Sequence, residues 1–294
     1  MRRCVALAAA VLVASVSIST APAAAQTAPP DPARAIKRQL LAGHGVRISE
    51  STLTPRDNMP PAKRRYDINL QLGPTGPVAF DNTHRQVPVP GSGKKGKDTP
   101  PYVDDFRQYR TIAVKEGVYV SGGLYESLLP PGKTWMRVEI PHDFKIDSGF
   151  IARLLTQQTI DVFDPAVMKV MLKGATAKPV SGGFSYQGEV SWAELYKAAK
   201  KTYAPLFRGL SGVELDSRKV PWRLWTDSKG LPSRLVSTED GSPAAQRIDT
   251  RYTGWGSPVV VTAPPADQVI DEAALTGGVP EPNERVNTPP TRSR

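Results

Sequence analysis

A single cysteine, Cys4, serves 294 residues, and there are only three histidines. One thiol excludes a disulfide-stapled scaffold, and three scattered histidines with no further thiol exclude a Cys/His zinc centre. Long apolar runs are equally scarce. The chain has one, at its N-terminus, and no second run approaches the ~20 apolar residues of a spanning helix. Acidic residues are outnumbered, 28 against 38 basic ones, for a formal charge of +10. With 29 Pro and 24 Gly, the composition describes a basic, loop-rich chain of about one large domain.

The first 25 residues read as an export signal. Met1-Arg2-Arg3 is a positive n-region, Val5 to Val16 an Ala/Val/Leu h-region, and Ala23-Ala24-Ala25 a small-residue cleavage site. The run is too short and too Ser/Thr-broken for an anchor. Cys4 precedes the h-region, so it is not placed for lipidation and leaves with the peptide. The expected location is therefore secreted, extracellular or envelope-associated, after cleavage near Ala25. Residues 26–34 read as a linker and 272–294, with Gly277-Gly278, Pro280, Pro282 and Pro289-Pro290 and few large apolar residues, as a disordered tail. Residues 81–101 read as a flexible basic insertion within a domain spanning 35–271.

Inside that domain, period-2 alternation dominates. Tyr66, Ile68, Leu70 and Leu72 alternate with polar residues, as do Met136, Val138 and Ile140, then Phe184, Tyr186 and Val190. Val220, Trp222, Leu224 and Thr226 make another face, and Ile248, Thr250 and Tyr252 a further one. Asp227-Ser228-Lys229-Gly230 is placed as a hairpin loop, and Asp240-Gly241 as another. Helices are expected over 31–41, 150–156, from Asp164-Pro165 to Gly174, and from the capping box Ser191-Trp192-Ala193-Glu194 towards Pro205. One apolar face per strand marks an antiparallel sheet covered on one side, so the fold class is α+β with helices on the apolar face.

The motifs that suggest chemistry are weak. Gly91 to Lys97 matches G-x-x-x-x-G-K, but Asp98 stands where Ser or Thr would hold magnesium, and prolines replace the flanking strand and helix. Val-Ser-Gly-Gly occurs twice, at 120–123 and 180–183, as strand-end turns. His44, His84 and His142 read as surface histidines. Asp104-Asp105 and Glu239-Asp240 point to opposite sides of an extended chain. No catalytic arrangement emerges, so the chain is read as non-enzymatic, with no cofactor and no metal. Lys197, Lys200 and Lys201 beside Tyr196 and Tyr203 are no nucleic-acid module, and no nucleic acid is expected. The positive charge fits an anionic envelope surface, or plain solubility.

The C-terminal third carries a resemblance. Trp222 to Leu235 (strand, hairpin, strand), Thr250-Arg251-Tyr252-Thr253-Gly254-Trp255-Gly256-Ser257-Pro258-Val259 and Ala263 to Asp267 follow one another as in exported actinobacterial envelope proteins of the LppX/LprG type and their LolA-like relatives. Gly132-Lys133-Thr134-Trp135, Asp164-Pro165 and Tyr186-Gln187-Gly188-Glu189-Val190 are similar pieces. The resemblance implies a strongly curved antiparallel β half-barrel whose concave face is closed by helices over an apolar cavity, and a lipid or other hydrophobic small molecule as ligand. The family's lipidated cysteine is missing. Residues expected to line such a cavity are Ile68, Leu70, Met136, Val138, Ile140, Trp222 and Leu224, each on an apolar strand face. The plainer alternative is that they pack against the helices and that the protein is an envelope scaffold or sensor gripping a protein or cell-wall partner.

Overall fold

A computed structural model describes residues 28–56, 61–89, 107–140, 146–239 and 245–275. Among them, twelve strands join one curved, unclosed sheet. They are β1 (His44–Thr54), β2 (Ala62–Gly73), β3 (Gly76–Val87), β4 (Tyr109–Val114), β5 (Gly117–Gly122), β6 (Trp135–Arg137), β7 (Lys178–Val180), β8 (Gly183–Ser191), β9 (Lys219–Asp227), β10 (Pro232–Thr238), β11 (Arg247–Pro258) and β12 (Val269–Asp271). Their order is β12-β6-β5-β4-β3-β2-β1-β11-β10-β9-β8-β7. Neighbours are antiparallel except β12 and β6, which run parallel. Six α-helices accompany them: α1 (Pro32–Gln39), α2 (Ser148–Leu155), α3 (Pro165–Met171), α4 (Trp192–Ala198), α5 (Lys200–Tyr203) and α6 (Gly212–Ser217).

Registry follows from alternation, because a one-residue slip would turn every apolar side chain outward. Ile48 faces Ile68 on β2 and Tyr252 on β11, and Leu235 faces Leu224. This inner face carries the main core, which includes Leu70, Phe80 and Leu224 and is closed by Ile151 and Leu155 of α2, Val167 and Met168 of α3, and Leu195 of α4. The helices start where the sequence supplies caps. Asp31, Asp147 and Asp164 each accept from backbone N–H groups of the first turn. Ser191 and Glu194 complete their capping box, with Ser191 Oγ 3.1 Å from Glu194 N. A second box, Ser211 with Glu214, opens α6.

A smaller cluster occupies the opposite face. Ile112 lies beside Asp81 and Tyr119 beside Ile112, which puts both across the sheet from Phe80. Ala79, Val114 and Trp135 complete the cluster, packed by Val261 and Val269 from the chain beyond β11. That chain crosses at Gly45, where a Cβ would stand 2.4 Å from the Val259 side chain. Only glycine admits the crossing. Gln71 Oε1 accepts from Val261 N at 3.0 Å just beyond it.

Several expectations shift. Residues 81–87, placed in a flexible insertion, are the second half of β3. Asn82, Thr83, His84, Arg85 and Gln86 are polar on both faces, so alternation does not mark them. The segment from 90 to 106 lies outside the described residues. α1 forms where a helix over 31–41 is expected, but it begins at Pro32, inside the expected linker, and ends at Gln39. Glu272–Ala274, assigned to the tail, form a 3-10 turn, and the Glu272 carboxylate accepts from Glu139 N at 2.7 Å. The strand expected to reach Ile140 ends at Arg137; Val138 N still donates to Val118 O at 2.9 Å, but Glu139 N turns to Glu272. The helix expected to run towards Pro205 breaks at Ala199 (φ −142°). That break returns Phe207 to stack on Trp192 at 4.6 Å. The hairpin at Asp227 forms as expected, with Asp227 Oδ1 accepting from Lys229 N and Leu231 N and Gly230 at φ 84°. Residues 1–25, the Asp240-Gly241 turn, Gly91 to Lys97 and His142 lie outside the described residues.

Candidate functional site

In β1 the inward positions are Val46, Ile48, Glu50 and Thr52, so a carboxylate sits in phase with the core. Glu50 is 1% exposed. Its Oε1 accepts from Gln157 N at 2.8 Å, and its Oε2 from Thr250 Oγ1, directly across the β1–β11 ladder, at 2.7 Å. Thr250 Oγ1 in turn receives Gln158 Nε2 at 2.8 Å, and Gln158 Oε1 receives Ser237 Oγ at 2.6 Å. A chain of hydrogen bonds thus runs from β10 through β11 to β1 and ties down the segment that follows α2. Burial pushes the Glu50 carboxyl up to about 7, against the pull of the bonds from Gln157 and Thr250.

The same segment is fixed again farther on. Tyr203 Oη donates to Thr159 O at 2.8 Å and accepts from Asp161 N at 3.2 Å. Asp161 Oδ1 accepts from Phe163 N at 2.9 Å. Desolvation pushes the Asp161 carboxyl up to about 7 as well, with the charge of Asp164 acting in the same direction. Residues 156–163 are therefore a strap held at one end by buried Glu50 and at the other by buried Tyr203.

Beside this strap, between α2, α4, α5 and β11, lies a cavity of about 270 Å³. Leu155, Ile160, Phe163, Trp192, Phe207 and Tyr252 supply apolar wall, while Arg153, Gln157, Gln158, Asp161 and Glu239 supply polar wall. Leu206 also lines it and is 52% exposed. An apolar hollow with a few polar groups on one side binds and orients an amphiphilic small molecule.

The seven residues selected from the sequence lie elsewhere. Ile68, Leu70, Trp222 and Leu224 share the main core, with half-buried Val138 and Ile140 packed against it. Met136 is buried opposite Val120. None of the seven lines the 270 Å³ cavity, and Ile68 borders a separate hollow on the outer face. Sequence reasoning missed Glu50, whose signal was its phase with Val46 and Ile48. It also missed the strap, which has no periodicity to find.

His84 is no surface residue. It stacks between Tyr66 (5.3 Å) and Tyr109 (5.2 Å), and burial, helped by Arg64, lowers its pKa to about 4. Around it the inner face turns polar. Thr52 Oγ1, Asn82 Oδ1, His84 Nδ1 and Gln86 Oε1 are buried without hydrogen-bond partners among the described residues.

No protein-family model matches the chain. No curated protein matches it either. Among solved structures, a LolA superfamily protein from Nitrosomonas europaea is similar over 78% of this chain and 93% of its own, at 8% identity and a TM-score of 0.28. A hypothetical protein from Chlamydia trachomatis covers 80% and 98%, at 10% identity and 0.28. A domain described as a putative outer membrane lipoprotein-sorting protein, from Vibrio parahaemolyticus, covers 76% and 89%, at 10% identity and 0.25. The fold described above stands on its own ladders and buried side chains.

Proposed function

We propose that this protein is an exported, non-enzymatic carrier that holds a hydrophobic or amphiphilic small molecule between its helices and the inner face of its sheet. The cavity beside the 156–163 strap carries this reading: helices and strap both supply apolar wall, and Arg153, Gln157, Gln158 and Asp161 add a few polar groups. At about 270 Å³ it falls just below the ~300–1,000 Å³ of drug-sized pockets. It suits one chain of a lipid, with the carboxyl or hydroxyl end near Gln157 and Arg153, better than a multiply acylated anchor. The signal-like N-terminus supports export to the envelope or beyond. No helix among the described residues is long and apolar enough to cross a membrane.

A fluorescent fatty acid tests the reading. It should gain intensity on binding and be displaced by unlabelled lipid. Leu206→Asp, at the half-exposed mouth, should weaken uptake about tenfold or more with an unchanged thermal melt, since it places a charge against the ligand. Uptake indifferent to Leu206→Asp would move the ligand out of this cavity.

The packing of Leu70, Trp222 and Leu224 in a filled core supports a second reading, a scaffold that grips a protein partner. Exposed Leu154 and Leu206, on the neighbouring α2 and the turn after α5, would then be its contact patch. An absence of fatty-acid uptake by the wild type favours that alternative.

A further inference from the structure

The outer face of the sheet is apolar and covered over β3 to β6, but basic over the strands on either side of β1. Two like-charged pairs stand directly opposite each other: Arg65 with Arg85 across β2–β3, and Arg234 with Arg251 across β10–β11. Directly opposed like charges destabilise a sheet. Neighbouring acids offset only part of this. Asp249 is taken by Arg234, and Asp81 by Arg110 through two bonds of 2.8 and 2.7 Å. Arg47, Arg65, Arg85 and Arg251 are exposed, and among the described residues none has a carboxylate within 4.0 Å.

The strands gather part of this charge into a hollow of about 470 Å³ lined by Arg47, Arg110 and Arg251, with the carboxylates of Asp67 and Asp81 also on its wall. Arg47 lies opposite Thr253 and Arg251 opposite Ser49, so the two arginines are diagonal neighbours across the β1–β11 ladder. At that spacing, roughly 7–8 Å between backbones, two guanidinium groups can share one phosphate. Farther along, Arg223 and Arg234 stack on Trp225 at 5.5 and 5.0 Å, which holds them in place before any partner arrives.

We propose that this outer face docks on an anionic lipid bilayer, with headgroup phosphates standing where the sheet lacks acids and one headgroup seated between Arg47 and Arg251. The cations spread in two dimensions over β3, β2, β1, β11, β10 and β9. A field of many small headgroups matches that spread, whereas the single file of phosphates on a nucleic-acid strand would need a line or groove. The inference goes beyond the carrier reading and does not depend on it, because the face lies on the far side of the sheet from the cavity.

Cosedimentation of the secreted chain with phosphatidylcholine vesicles, with and without phosphatidylglycerol, tests it. Binding is expected only to the phosphatidylglycerol vesicles and should vanish towards ~1 M salt, where the screening length falls to about 3 Å. Arg47→Ser with Arg251→Ser should weaken binding about tenfold or more. Arg65→Ser with Arg85→Ser should weaken it too, and both variants should melt no lower than wild type and keep its fatty-acid uptake. Equal binding to both vesicle types, binding to neither, retention on heparin alone, or variants that bind like wild type would overturn the proposal. Fatty-acid uptake without vesicle binding would remove this proposal and leave the carrier; vesicle binding without uptake would do the reverse.

Discussion

On the helix-covered face, Phe80, Leu70 and Leu224 are wholly buried, and the acids Glu50 and Asp161 are pushed up to about 7 by burial. On the outer face, burial also pushes Asp249 up, but the hydrogen bonds and charges of Arg234 and its neighbours hold that carboxyl below the ordinary range. The inner face therefore works by removing water, and its charged groups tend towards neutrality. The outer face keeps its charges in contact with solvent, where salt can reach them. One sheet presents an apolar, pH-sensitive side and a basic, salt-sensitive side, divided by nothing thicker than a single layer of backbone.

The largest effect belongs to the inner core. Phe80→Ala should cost about 3–5 kcal/mol in urea unfolding, because the cavity it leaves lies between the sheet and the helices. A cost near zero would mean that this face is loosely packed.

Next comes pH. The unfolded chain releases the protons of Glu50 and Asp161 near 4.5 and 3.8, whereas the folded chain holds both until about 7. The stability they contribute is complete below the unfolded values and is lost as pH rises through about 7, roughly 3 kcal/mol for Glu50 and roughly 4 kcal/mol for Asp161. His84, lowered to about 4, acts in the opposite sense and withdraws stability as pH falls from 6.5. Two groups outweigh one, so unfolding free energy should be lower at pH 8 than at pH 5. Glu50→Gln should shrink that difference, and a difference that Glu50→Gln leaves intact would assign it elsewhere.

Gly45→Ala addresses the junction of the two faces. A methyl 2.4 Å from Val259 must displace the crossing segment, at about 1–3 kcal/mol. The smallest change is Trp225→Ala, which releases two stacked guanidinium groups at a cost of about 0.5–1 kcal/mol each. A double-mutant cycle with Arg234→Ala measures it.

The strands were legible wherever one face is aliphatic and the other polar, as from Tyr66 to Leu72 and from Val220 to Thr226. Alternation failed in β3 beyond Asp81, because the inner face there is built from stacked rings and amides instead of aliphatic side chains. The candidate cavity was legible only in part. Apolar strand residues such as Leu70 and Leu224 meet the helices and fill the core, so the void opens one layer higher, among Leu155, Ile160, Phe163 and Phe207. Those residues belong to short helices and an irregular strap, whose positions depend on long-range bonds such as Glu50 to Gln157 that no local pattern encodes.

Native mass spectrometry of protein purified from a secreting host, followed by solvent extraction, tests the central claim most directly. The carrier account predicts excess mass that extracts as a single-chain apolar or amphiphilic molecule and falls in Leu206→Asp. A bare-protein mass that stays unchanged after incubation with envelope lipids would contradict it.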